Sequence, residues 1–240
     1  MRGLRTDTNI DTISGLVFNA WGDRPIEGPY GVWFDGDWNK PRLDDPAIQK
    51  GLSDYAGLME AGPSDILSYN WNEAGNAFCN GQAAFFADAS LFGPWFETAD
   101  CPISQGNTGY MALPPQNAGG TSYTANWQWG IGMGANAQEK DAGWYFIQYM
   151  TNKSSEPKIG TFHGGAGRLS TWENDEYTST LNPDYVSATL ESMKTVRTSV
   201  VPVKDFNKYA LEVMDVILDI HSGASSEDAT AEGNNNFKNM

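Results

Sequence analysis

The chain has 240 residues, with 15 Lys plus Arg against 30 Asp plus Glu, and a formal net charge of −15. That length holds one large domain or two small ones with ample material for a core. The acidic balance argues against nucleic acid and anionic membrane surfaces as partners, because it repels their phosphates.

Nine Trp, ten Tyr and eleven Phe stand beside only 19% charged residues. Such planar side chains pack cores and also line small-molecule pockets. No run of about 18 apolar residues is present to span a membrane. The opening MRGLRTDTNIDTIS has no apolar h-region and is not a signal peptide, so an exported form would take its targeting segment from outside this chain. With only His163 and His221, a histidine-rich metal site is excluded, and two cysteines are too few for a zinc site. Cys79 and Cys101 are consistent with a disulfide or with two buried thiols.

Taken in order, Thr12 to Ala20 is apolar enough for a helix or a strand. Gly31 to Leu43 reads as a hairpin around Asp35-Gly36-Asp37. Asp35, Asp37 and Asn39 have the odd-position spacing of a calcium loop, but Lys40 replaces its glycine and Pro46 its closing carboxylate, so this is a turn. Asp44-Asp45-Pro46 starts a helix whose Ile48, Leu52, Tyr55 and Met59 share one face, and Gly62-Pro63 stops it. A shorter helix is expected near Glu73 to Asn80.

Ala83 to Ala87, between Gly81 and Asp88, suits a buried strand, with Leu91 to Thr98 continuing as a short helix. Asp88 then stands at the carboxyl end of a strand, where open α/β folds bind ligands; its alternative job is to cap the following helix. Thr108 to Leu113 and Trp127 to Gly134 read as strands, and Glu139 to Thr151 as an amphipathic helix. Gly160 to Gly167 reads as a loop. A helix from Asn182-Pro183 is expected to turn Val186, Leu190 and Met193 inward. Another runs from Asp205 to Ser222, and a last one from Ser226 is expected to fray at Asn234-Asn235-Asn236. The sum is an α/β chain with more helix than strand.

Catalytic signatures are thin: there is no nucleophile elbow, phosphate loop, dinucleotide fingerprint or Cys/His constellation, and no cofactor is implied. A carboxylate pair such as Asp88 and Glu73 leaves a glycoside hydrolase as an alternative. Binding is better supported. Trp127 and Trp129, two apart on a strand, would face the same way and form a platform for the C–H face of a sugar, unless both are core residues. Arg168, among glycines, offers several donors to hydroxyls, unless it is a structural ion-pair partner.

The order of Arg2-Gly3, Gly62-Pro63, Trp71-Asn72-Glu73, Phe78 with Gly81-Gln82-Ala83-Ala84, Asp88-Ala89-Ser90, Gly109-Tyr110, Asn126 to Trp129 and Arg168 to Thr171 carries a resemblance. The chain resembles the solute-binding proteins of bacterial ABC importers for carbohydrates, and in particular the sorbitol/mannitol-type polyol binders. The resemblance implies a two-lobe, periplasmic-binding-protein-like (type II) α/β fold that closes on a sugar or polyol in an interlobe cleft. Its partner would be the membrane permease, and its location periplasmic or extracellular. It further implies ligand contacts by Asp88, Trp127, Trp129 and Arg168, with Trp95, Arg2 and Glu73 as secondary contacts. By the family's chain path, residues 1–108 begin the C-terminal lobe, 109–165 cross into the N-terminal lobe, and 166–240 return with the terminal helices. Family members are longer, so the chain is expected to be N-terminally incomplete. A lectin-like sensory module using the same platform is a further alternative.

Overall fold

The computed structural model describes every residue except Arg5 and Gly164, and gives only the backbone of Phe162 and His163. Gly164, the first residue of the glycine-rich turn expected around Arg168, is therefore outside the described residues. The elements run α1 (Ile10–Trp21), α2 (Pro46–Glu60), α3 (Trp71–Cys79), α4 (Phe92–Phe96), β1 (Thr124–Asn126), α5 (Lys140–Thr151), α6 (Glu156–His163), α7 (Leu169–Trp172), α8 (Asp175–Thr178), α9 (Pro183–Met193), β2 (Val196–Thr198), α10 (Phe206–His221) and α11 (Ser226–Lys238). They form two compact units. The first holds Met1–Asp88, Ala112–Trp127 and Glu191–Met240; the second holds Ala89–Met111 and Gln128–Leu190.

The first unit is built on α1, α2, α10 and α11. α2 begins where the sequence says it should: Asp45 Oδ1 accepts from the Ala47 amide at 2.9 Å, and Pro46 occupies the first helical position. α1 crosses α2 so closely that a Cβ on Gly51 would lie 2.6 Å from Val17 Cα, and only glycine allows that approach. The expected hairpin is reduced to one antiparallel bridge, Phe34 to Pro41, closed by the Asp35 amide donating to Lys40 O at 2.8 Å. It delivers Phe34 into an aromatic cluster, 5.6 Å from Phe237 and 5.5 Å from Tyr209. The described strands form one parallel pair, with Thr124, Ala125 and Asn126 opposite Val196, Arg197 and Thr198.

The second unit has a smaller aromatic core. Trp172 meets Tyr177 at 5.5 Å and Tyr185 at 5.9 Å, and a Cβ on Gly93 would sit 2.3 Å from the Tyr185 ring. α5 belongs to this unit and buries none of its residues.

Several sequence expectations are corrected. Ala83 to Ala87, between Gly81 and Asp88, is not a strand, and Phe85 is 90% exposed. Asp88 therefore follows no strand, and it does not cap α4, whose N-cap is Leu91. Thr108 to Leu113 and Trp127 to Gly134 are not strands either. Alternation marks a run that can extend, but a strand also needs a partner to take its N–H and C=O groups. α6 continues through Gly160 because that position packs on the Tyr177 ring, where a Cβ would be 2.9 Å away.

In α9 the buried residues are Tyr185 and Thr189, a different stripe from the expected Val186, Leu190 and Met193. α11 does not fray. Its Asn234 accepts from the Leu43 amide at 2.7 Å, and Asn236 donates to Glu212 Oε1 at 2.7 Å, so tertiary bonds override poor helix propensity. Both cysteines are disulfide-bonded, which removes the free-thiol alternative.

Candidate functional site

In the first unit, Arg2 and Asp88 are brought together. Arg2 Nε and Nη2 donate to the two carboxylate oxygens of Asp88 at 2.7 and 2.6 Å, a fork-to-fork pair. The Asp88 side chain is fully buried and that of Arg2 nearly so. Arg2 Nη1 also donates to Thr8 O at 3.2 Å and lies 3.4 Å from Asp11 Oδ1, while Tyr55 donates to Arg2 O at 2.8 Å. Burial pulls the Arg2 guanidinium down, but Asp88 outweighs it and the group is held above its ordinary value. Burial pushes the Asp11 carboxyl up, and Arg2 only partly offsets this. The Tyr55 phenol is likewise pushed up by burial, with Asp88 adding to it. This is a closed ionic knot around the segment that ends the first unit at Asp88.

Glu73 stands in the first turn of α3, where its carboxylate accepts from the Asn70 amide at 3.0 Å and completes a capping box with Asn70. Trp127 directly follows the carboxyl end of β1 and is 40% exposed. The carboxyl ends of parallel strands are where open α/β sheets place ligands. Arg197, opposite Ala125 in the register, steadies this stretch: its guanidinium lies 3.6 Å from the Tyr123 ring centroid and donates to Gly22 O at 2.8 Å.

In the second unit, Trp95 forms a three-ring cluster with Phe92 and Phe96, with centroids 5.7 and 5.8 Å away, and is partly buried. Trp129 is 82% exposed, in a run outside the helices and strands. Arg168 sits at the N-cap of α7, its side chain 46% exposed. Its Nη2 donates to Thr151 O at 2.7 Å, at the carbonyl-rich end of α5 that favours a cation.

The backbone before Arg168 is held from several sides. The Gly165 amide donates to Tyr185 Oη at 3.2 Å, and Trp172 Nε1 donates to Ala166 O at 2.9 Å. The Gly167 amide donates to Glu156 Oε1 at 3.0 Å, and Gln128 Nε2 donates to Gly167 O at 3.4 Å. A Cβ on Gly167 would lie 2.3 Å from Gln128 Nε2, so glycine is what lets the two segments meet. Gln128, immediately before Trp129, thus lies against the arginine loop. Sequence reasoning missed Gln128 and Glu156; their signal was only a polar residue next to a tryptophan and an acid in a helix's first turn.

Within the second unit, the exposed Trp129 indole follows Gln128, and the half-exposed Arg168 guanidinium follows the loop that Gln128 touches. Such groups stack on C–H faces and donate to hydroxyls. No helix among the described residues is long and apolar enough to cross a membrane.

The family signature described as bacterial extracellular solute-binding protein matches residues 10–157, more than half of the chain, and the chain belongs to that family. Its fold is that of the periplasmic-binding-protein-like sugar-binding proteins. An ABC-transporter solute-binding protein from Agrobacterium radiobacter K84 in complex with ribitol superposes with a TM-score of 0.78 at 18% identity, over 100% of this chain and 58% of the other. One from Agrobacterium vitis S4 with bound D-mannitol gives 0.77 at 21% identity, over 99% and 59%. The maltose-bound MalE3 of T. maritima gives 0.76 at 18%, over 97% and 57%. This chain thus spans 57 to 59% of the length of these structures. No curated protein matches its sequence.

Proposed function

We propose that this chain is the polyol- or sugar-binding component of a bacterial ABC importer, a non-catalytic carrier that hands its ligand to a membrane permease. Stacking falls to Trp127 and Trp129, and hydroxyl recognition to Arg168, and to Asp88 only where its carboxylate is released from Arg2. Trp95, Arg2 and Glu73 are the secondary contacts in this proposal, Arg2 through its pair with Asp88. The observation that carries this reading is the Trp127-Gln128-Trp129 stretch. Both of its indoles are exposed, and within the second unit its Gln128 lies against the loop that presents Arg168. Family membership and the complexes of the structural relatives with ribitol and D-mannitol support it.

The test is a tryptophan-fluorescence titration of the chain with ribitol, D-mannitol and maltose. A saturable change with one of them, lost in Trp129→Ala and weakened in Arg168→Met, is the expected result. A flat response to all three overturns the assignment.

A further inference from the structure

Among the groups that hold the arginine loop, Glu156 is set apart because it touches the loop on both sides of Arg168 and the arginine itself. Its Oε1 takes the Gly167 amide at 3.0 Å, and its Oε2 takes the Thr171 hydroxyl at 2.6 Å and lies 3.6 Å from Arg168 Nε. It projects from the first turn of α6, where the helix N-terminus favours a carboxylate. With Thr151 O accepting from Nη2 as well, the guanidinium is held at two points while nearly half of the side chain stays exposed. An ion pair this open to solvent adds little to stability. Its consequence is orientation and charge balance at the face that Arg168 presents.

We propose that Glu156 is a positioning and specificity residue: it aims the Arg168 guanidinium and, by offsetting its charge, selects neutral polyols over anionic ones such as polyol acids. This rests on the polyol-binding reading above. An uncompensated guanidinium would form a charge-assisted, bidentate pair with a carboxylate ligand in preference to hydroxyls. With Glu156 beside it, a ligand carboxylate meets a like charge at close range, whereas a hydroxyl pays no such penalty.

The experiment compares Glu156→Gln and Glu156→Ala with the unsubstituted chain, titrating D-mannitol and D-gluconate by calorimetry. Glu156→Gln keeps an acceptor for the Gly167 amide but removes the charge. It should raise the D-gluconate to D-mannitol affinity ratio about tenfold, the scale of one partly screened charge. Glu156→Ala should also weaken D-mannitol about tenfold by releasing the loop, as loss of a positioning contact does, and neither effect should appear when Arg168 is already Met. Unchanged affinity and unchanged ratio in both variants overturn the proposal.

If the unsubstituted chain binds neither ligand, the polyol reading fails and positioning is judged alone from hydrogen exchange. Faster exchange of the Gly167 amide and of the Arg168 Nε–H in Glu156→Ala, but not of the Gly167 amide in Glu156→Gln, upholds it. Equal exchange in all three proteins overturns it.

Discussion

α10 and α5 are both amphipathic helices, and the two units treat them differently. α10 sinks Tyr209, Ala210, Val213, Met214, Val216 and Ile217 between α2 and α11. α5 carries Trp144, Tyr145, Phe146 and Tyr149, each more than half exposed, and buries nothing. The difference teaches that a 3.6-residue apolar period states which face of a helix prefers cover. Whether cover is present depends on what the rest of the fold brings to that face. The first unit packs α1, α2, α10 and α11 around one core; the second packs its aromatic residues around Trp172, Tyr177 and Tyr185 instead.

The largest effects should therefore come from the first unit. Phe18, fully buried on α1, should cost about 3–5 kcal/mol when truncated to Ala, by lost burial and a residual cavity. The midpoint of urea unfolding reads this directly; a loss below about 1 kcal/mol would mean that this core is loosely packed and the contrast with α5 false.

Asp88→Ala should be nearly as damaging, about 3–5 kcal/mol, because it leaves Arg2 buried without its main partner. The double substitution Arg2→Met with Asp88→Leu should recover much of that loss in a thermal melt. If Asp88→Ala melts like the parent, the knot is not structural, and Asp88 is then freer for the ligand role proposed for it.

A third, smaller effect concerns the start of α2. Asp45 caps the helix and takes both terminal nitrogens of Arg24 at 2.9 and 2.6 Å, so Asp45→Ala should cost about 1–2 kcal/mol. Its pH dependence has a definite sign. The Arg24 hydrogen bonds, above all, hold the Asp45 carboxyl below its ordinary 3.8. Its contribution is thus present above pH 3.8 and is lost as pH falls through the lower, folded value. Asp11 behaves oppositely. Burial raises its pKa above 3.8, so its ionisation subtracts stability as pH rises from 3.8 through the folded value. Melting temperatures of Asp45→Asn and Asp11→Asn across acidic pH should bend in opposite directions relative to the parent. Bends of the same sign would refute this account of one or the other.

These sites also show how far the sequence could be read. The Asp45-Pro46 start was legible because cap and helix are neighbours in the chain, and so was the buried stripe of α2. The order of motifs reached the family and its fold. Asn234 was misread because its partner, the Leu43 amide, is far away in sequence. The Asp88–Arg2 pair was hidden for the same reason: each residue was singled out, but nothing local says that the two face each other. Trp127 to Gly134 alternates like a strand, yet the strand itself lies just before it, at Thr124 to Asn126. Glu156 carried only the weak signal of an acid in a helix's first turn. Its meaning lies in Gly167, Arg168 and Thr171, which a loop folds back onto it.

The smallest expected effect sharpens the opening contrast most. Phe146→Ser and Trp144→Ser on α5 should each change unfolding free energy by no more than about 0.5 kcal/mol, as exposed substitutions do. Truncating an aromatic of the same size in α1 is expected to cost several times that. Contiguous apolar surface exposed by one chain also binds hydrophobic dyes, and such patches are rarely large on a monomer. Binding of anilinonaphthalene sulfonate should accordingly fall in the Phe146→Ser, Trp144→Ser double variant while the unfolding midpoint stays put. A stability loss of several kcal/mol instead would show that α5 buries those rings in solution, and the two helices would then differ in partner and not in cover.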